Sequence, residues 1–142
     1  MREILFRGKR DGDGEWVMGD RAGYSDYVMI WDLIDKGVGY LVDHTTVGQF
    51  TGLCDKNGKK IFEGDIVKTH YANAVKSDFV ETVVFHNGRF CANSKISETG
   101  QWWTSLADGV PHVSFDKSVY MESCEVTGNI HDNPELTKEE SE

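Results

Sequence analysis

No apolar run in this sequence approaches the roughly 20 residues that a membrane-spanning helix needs. The opening stretch, Met1-Arg2-Glu3-Ile4-Leu5-Phe6-Arg7, is too short and too charged for a secretory signal. The expected location is the cytoplasm, with no membrane contact. Cysteine is scarce: Cys54, Cys91 and Cys124 lie far apart, are odd in number and lack CxxC spacing. That pattern argues against a disulfide framework and against a structural zinc site, and favours reduced thiols. Proline occurs only twice while glycine occurs 15 times, a balance that suits many tight turns. Basic residues are outnumbered, 15 against 24 acidic ones, for a net charge of −9. The last eight residues hold four Glu and one Lys, so −6 remains on the body. An acidic body argues against broad binding to phosphate backbones. Lys56, Lys59 and Lys60 form the one clear basic cluster, and a solvated turn accounts for them.

At 142 residues the chain fits one domain with a real core. The expected organisation is a single β-rich domain over residues 1–134 and an acidic, frayed tail over 135–142. Glu3–Lys9 and Glu15–Gly19 read as a hairpin around Asp11-Gly12-Asp13-Gly14. Tyr27–Trp31 is a dense β-branched and aromatic run, expected as a buried strand, with a helical turn through Leu33 and Ile34 as the alternative. Tyr40–Val42 and Thr46–Thr51 continue the pattern. Asn57-Gly58 and Asn87-Gly88 mark hairpin turns, because Asn-Gly tolerates left-handed backbone. Glu63-Gly64-Asp65 bends the chain into Ile66–Thr69, with Asp65 expected to bond turn amides beside Gly64.

Phe79–Phe85 alternates cleanly, with Val80, Thr82 and Val84 on one face and Phe79, Glu81, Val83 and Phe85 on the other. Arg89–Ala92 is its return strand. Ser94–Gly100 reads as polar and exposed. Trp102-Trp103 and Val113–Phe115 are weaker strands, and Cys124–Ile130 is the last. Asn133 and Pro134 predict the start of a short helix, with Asn133 as its cap. Many short strands with such turns predict a mainly β fold. A small antiparallel SH3-like barrel, or a partly open barrel or sandwich with little helix, fits best.

Val47–Leu53 and Asp55–Val67 together resemble the signature of the YopX family of phage and prophage proteins. Arg7-Gly8-Lys9 with Gly14-Glu15-Trp16-Val17 and Gly19-Asp20 is similar to that family's N-terminal hairpin, and Val126–Leu136 to its C-terminal motif. His44 stands where the family pattern has proline, and Cys54 where it has a polar residue. The stretch Asn93–Tyr120 matches nothing in the pattern. The resemblance implies a β-barrel-like fold and a phage or prophage origin, with location in the bacterial host cell, and no activity.

Candidate chemistry is thin. His131-Asp132-Asn133 is the densest polar cluster, and a His beside a carboxylate can serve as base or ligand. Asn133 capping a helix, Asp132 accepting backbone N–H bonds and His131 packing at the strand end explain it better. Asp43 and His44 are adjacent on a strand and point to opposite faces. Asp11–Glu15 lacks the ligand spacing of a calcium loop. No phosphate loop, nucleophile elbow or zinc signature occurs, so no catalytic residue, metal or cofactor is assigned. Trp102 and Trp103 cannot both face inward, so one is expected at the surface or at a contact. The resulting expectation is a non-enzymatic protein-interaction module that binds a protein partner or itself. A small-barrel nucleic-acid binder is the second reading, and a hydrolase or metal enzyme built on His131 and Asp132 the third.

Overall fold

Asp11-Gly12-Asp13-Gly14 reverses the chain through two left-handed glycines, Gly12 at φ 98° and Gly14 at φ 71°. The Asp13 carboxylate accepts the Glu15 N–H at 3.0 Å and holds the turn. Turns of this kind set the strands apart throughout the computed structural model, which describes residues 3–74, 76–97, 100–109 and 118–138, with the backbone alone for 95–97, 100–102 and 138. Ten strands and one short helix occur among them: β1 Phe6–Arg10, β2 Trp16–Gly23, β3 Val28–Asp32, β4 Gly39–Cys54, β5 Lys60–Phe62, β6 Asp65–Ala72, β7 Asp78–His86, β8 Arg89–Ser97, β9 Gly100–Ser105, β10 Tyr120–Asn129 and α1 Glu135–Lys138. The fold is mainly β and antiparallel, with little helix. The chain divides into two compact units, Met1–Gly52 and Leu53–Glu142.

In the first unit each strand pairs antiparallel with the next, and β1 pairs with both β2 and β4. Four strands therefore close into a ring. Phe6 faces Gly19 on one side and Gln49 on the other. Val17, Ile30 and Val42 fill the interior, with Phe6, Val28, Tyr40 and Val47 against them.

The sequence suggests two short runs where the structure has one strand of 16 residues, β4. Side-chain bonds carry the strand across the polar interruption. Asp43 accepts from the Thr45 N–H at 3.0 Å and the Thr45 hydroxyl at 2.7 Å. Thr46 Oγ1 donates to the Asp43 carbonyl at 2.6 Å and accepts the Lys9 N–H at 2.9 Å. The β1–β4 register shifts here, so the polar residues make an irregularity and not a break.

In the second unit the strand order is β10-β6-β7-β8-β9. Its apolar core joins Ile61, Val67, Val83 and Ala92 to Leu106, Met121, Cys124 and Val126. Tyr71, Phe79 and Val119 form a second cluster. Gly58 sits at φ 83° in the turn between β4 and β5, Gly64 at φ 92° between β5 and β6. Asn87 at φ 50° and Gly88 at φ 81° join β7 to β8. β8 runs further than the polar stretch 94–100 suggests, because β9 returns alongside and pairs Ser94 with Trp102. Ser94 is consequently buried. Val113–Phe115 lies outside the described residues.

Candidate functional site

Asp55 Oδ1 accepts the N–H groups of Asn57 and Lys59, both at 2.9 Å, and Oδ2 accepts that of Val126 at 2.8 Å. Removal from water opposes ionisation of this carboxyl. The donors from Val126, Lys59 and Asn57, aided by the Lys59 charge, outweigh that and hold it below its ordinary value. The Lys56 N–H also reaches the Cys124 carbonyl at 3.0 Å. Asp65 is buried, and its Oδ2 accepts the Phe62 N–H at 2.7 Å.

His131, Asp132 and Asn133 form a turn organised by Asn129. Asn129 Oδ1 accepts the N–H groups of His131 at 3.0 Å and Asp132 at 2.9 Å, while its amide nitrogen donates to Asp132 Oδ2 at 3.1 Å. Asn133 Oδ1 accepts the Asn129 N–H at 3.3 Å. The Asn133 side chain thus reaches back to the end of β10 instead of capping α1. A Cβ on Gly128 would stand 2.5 Å from that Oδ1, so the seat requires glycine. The His131 ring packs beside Gly64, with Nε2 3.8 Å from where a Cβ would sit. Among the described residues no group of three or more His, Cys, Asp or Glu side chains could hold a metal ion, and no helix is long and apolar enough to cross a membrane.

Trp103 is half-buried on β9 and stacks on His86, with ring centroids 4.1 Å apart and planes 5° apart. The Trp102 side chain lies outside those described. On the opposite face of this sheet a polar cluster is sunk into the core. Glu81 is 1% exposed, and its Oε1 accepts the hydroxyls of Thr69 and Tyr71, both at 2.5 Å. Tyr71 also bonds Thr104 at 2.8 Å. Burial first, and then the Glu81 charge, push the Tyr71 phenol far above its ordinary value. Such a network fixes side chains across three strands. Its sequence signal was a lone Glu among Phe79, Val83 and Phe85 on one face of a strand.

Two features of the first unit do open to solvent. The first is an apolar face. Alternation along β2, β3 and β4 puts Met18, Asp20 and Ala22 on the same side as Met29 and Trp31, and as Gly39 and Leu41. A Cβ on Gly39 would stand 2.9 Å from both Met29 Cε and Trp31 Cε3, so both side chains lie over this glycine. Trp31 is 39% exposed, and Met18 and Leu41 are also exposed. The following loop adds Leu33 and Ile34, the latter 93% exposed. A hollow of about 180 Å³ beside Trp31 is bounded by Asp20, Asp32 and Lys36. The expectation of a wholly buried Tyr27–Trp31 strand is corrected here: Ile30 points into the ring, so Met29 and Trp31 must point out.

The second feature is a cavity of about 470 Å³ lined by Arg21, Tyr24, Ser25, Tyr27 and His44, with Asp26, Val28 and Val47. Tyr24 and Tyr27 stack with ring centroids 4.7 Å apart and planes 23° apart. The Tyr24 N–H donates to the Tyr27 carbonyl at 2.8 Å and closes the β2–β3 turn. Sequence reading missed both features, since it gives the face of a strand but not which face water reaches.

The profile of the family described as YopX protein matches residues 6–138. The crystal structure of protein EF1440 from Enterococcus faecalis is similar in fold: 23% identity, a TM-score of 0.52, and coverage of 96% of this chain and 99% of that one. No curated protein matches the sequence.

Proposed function

The chain belongs to the YopX family, and we propose that it is a non-enzymatic accessory protein of a phage or prophage that works by docking a protein partner on the outer face of β2, β3 and β4. The observation that carries this reading is the exposed apolar row Met18, Trp31 and Leu41, extended by Ile34. Tryptophan is enriched among the few residues that dominate binding, and an apolar patch rimmed by polar groups is the usual form of a contact site. Asp20 stands directly opposite Trp31 in the sheet register, and Asp32 and Asp35 follow in the next turn. On a chain of net charge −9 this rim disfavours a second copy and favours a partner with a basic margin. The buried polar clusters of the second unit support the same reading, since their groups are engaged in holding the fold.

The test compares wild type with Trp31→Ala on a column loaded with host lysate, followed by hydrogen exchange on the eluted complex. A basic partner released by salt, retained about 30-fold less well by Trp31→Ala and protecting residues 29–41 is the expected result. Retention that ignores Trp31→Ala, or a stable homodimer with Trp31 inside its interface, sinks the proposal.

A further inference from the structure

We propose that the cavity at the β2–β3 turn is a binding site for a single nucleotide unit, a planar base joined to one phosphate. The proposal concerns a different surface from the docking face and goes beyond it.

Three observations converge. First, Arg21 has no carboxylate partner among the described residues, although the chain carries 24 acidic side chains. Its guanidinium lies over Gly23, with both terminal nitrogens 3.3 Å from where a side chain on that glycine would begin. A guanidinium at a cavity wall offers a fork of donors suited to phosphate oxygens. Second, His44 and Ser25 line the same wall and add two donors, against one carboxylate, Asp26. Third, the stacked tyrosine pair presents ring surface beside these donors, with Tyr24 49% and Tyr27 47% exposed. A planar base stacks on such a platform whatever its identity.

Size and topology select among anions with rings. The volume falls within the roughly 300–1,000 Å³ of small-molecule sites. An extended phosphopeptide would draw affinity from a free strand edge. The edge beside this cavity is the short stretch Asp20–Gly23 of β2, because β1 pairs with β2 only as far as Gly19 while β3 is paired on both sides, and so short an edge offers an extended peptide little. The acidic body disfavours a long polyanion tracking the surface, and one phosphate is what the donor set accommodates.

Two sources share this chemistry, a free nucleoside monophosphate and one residue of a single strand. The experiment is an amide chemical-shift titration of the full chain with AMP, ribose 5-phosphate, adenosine, phosphotyrosine and a short oligodeoxyadenylate. AMP is expected to give saturable shifts at residues 21–28 and 44–47. Ribose 5-phosphate and adenosine are each expected to bind about tenfold or more weakly, since one lacks the stacking ring and the other the charge. Arg21→Gln and Tyr24→Ala should each weaken AMP about tenfold with Tm unchanged, while Trp31→Ala leaves AMP binding as it was. An oligonucleotide that binds tighter per site, with the same Arg21 dependence, identifies a single strand as the source. Equal affinity identifies the free nucleotide. Ribose 5-phosphate binding as well as AMP, phosphotyrosine binding better, or no shifts at these residues overturns the proposal. Arg21→Gln keeps the test decisive if Tyr24→Ala perturbs the turn.

Discussion

The Asp55 carboxylate accepts the backbone N–H of Val126 at 2.8 Å across 71 residues of sequence. The same carboxylate holds the Asn57 and Lys59 amides, so one side chain ties the family's most recognisable turn to the last strand. Asp55→Ala leaves three donors without their acceptor and is expected to cost about 2–4 kcal/mol by urea denaturation at pH 7. The folded carboxyl lies below the ordinary 3.8, so the native state prefers its charged form. Its contribution is therefore complete above about pH 4 and is lost as pH falls through the folded value. Asp55→Asn should flatten the loss of stability between about pH 5 and about pH 2 measured by the same method. An unchanged slope counts against this role.

Tyr71→Phe removes one hydroxyl from the Glu81 network and is expected to cost about 1–3 kcal/mol. The phenol is held above its ordinary value of 10.0, which makes its stabilising effect complete below about pH 10 and lost as pH rises beyond it. Absorbance at 295 nm should give the same titration amplitude for wild type and Tyr71→Phe until the fold opens. A larger wild-type amplitude before unfolding would show Tyr71 ionising in the native state.

The three thiols should separate by rate. Burial, then the charges of Asp55, Glu81 and Asp65, push Cys124 up to about 12. Burial also raises Cys91, with Arg89 opposing and Asp108 adding. Cys54 is exposed. Iodoacetamide at about pH 8 is expected to add one group quickly by intact mass, because only the thiolate reacts. Cys54→Ser should abolish that phase. Three equal rates contradict the burial described.

Two glycines of the first unit predict opposite outcomes. A Cβ on Gly19 would stand 1.7 Å from the Trp31 carbonyl oxygen, a backbone atom that cannot yield without breaking β2–β3 pairing. Gly19→Ala should cost about 3 kcal/mol or more. On Gly39 the neighbours are the mobile ends of Met29 and Trp31. Gly39→Ala should cost about 1 kcal/mol or less and shift tryptophan emission, because Trp31 turns aside. Equal losses from the two would mean the Trp31 face is rigid.

What the sequence made legible follows from how local each cause is. Asn57-Gly58 and Asn87-Gly88 could be read directly, since left-handed backbone depends on the residue itself. The faces of β7 were readable too, and Glu81 was assigned to its observed side. Its depth was not, because Thr69, Tyr71 and Thr104 arrive from other strands. Trp31 was taken as buried because density of apolar residues says nothing about which side of a closed ring meets water. Tyr24, Tyr27 and Arg21 went unread as a group, since their convergence needs the β2–β3 register. The closure of β1 on β4 joins residues some 40 apart, beyond any local pattern.

That closure also sets an order of events. Phe6 cannot meet Gln49 until nearly the whole first unit has left the ribosome. Until β3 emerges and pairs with β2, β1 and β2 form a lone hairpin, which is marginal in water by itself. β1 meanwhile keeps an open strand edge, a ready template for any passing chain. The first unit should therefore fold in one late step, limited by bringing its two ends together. A nascent chain halted before residue 49 is the species most exposed to misassembly, and the one most in need of a chaperone.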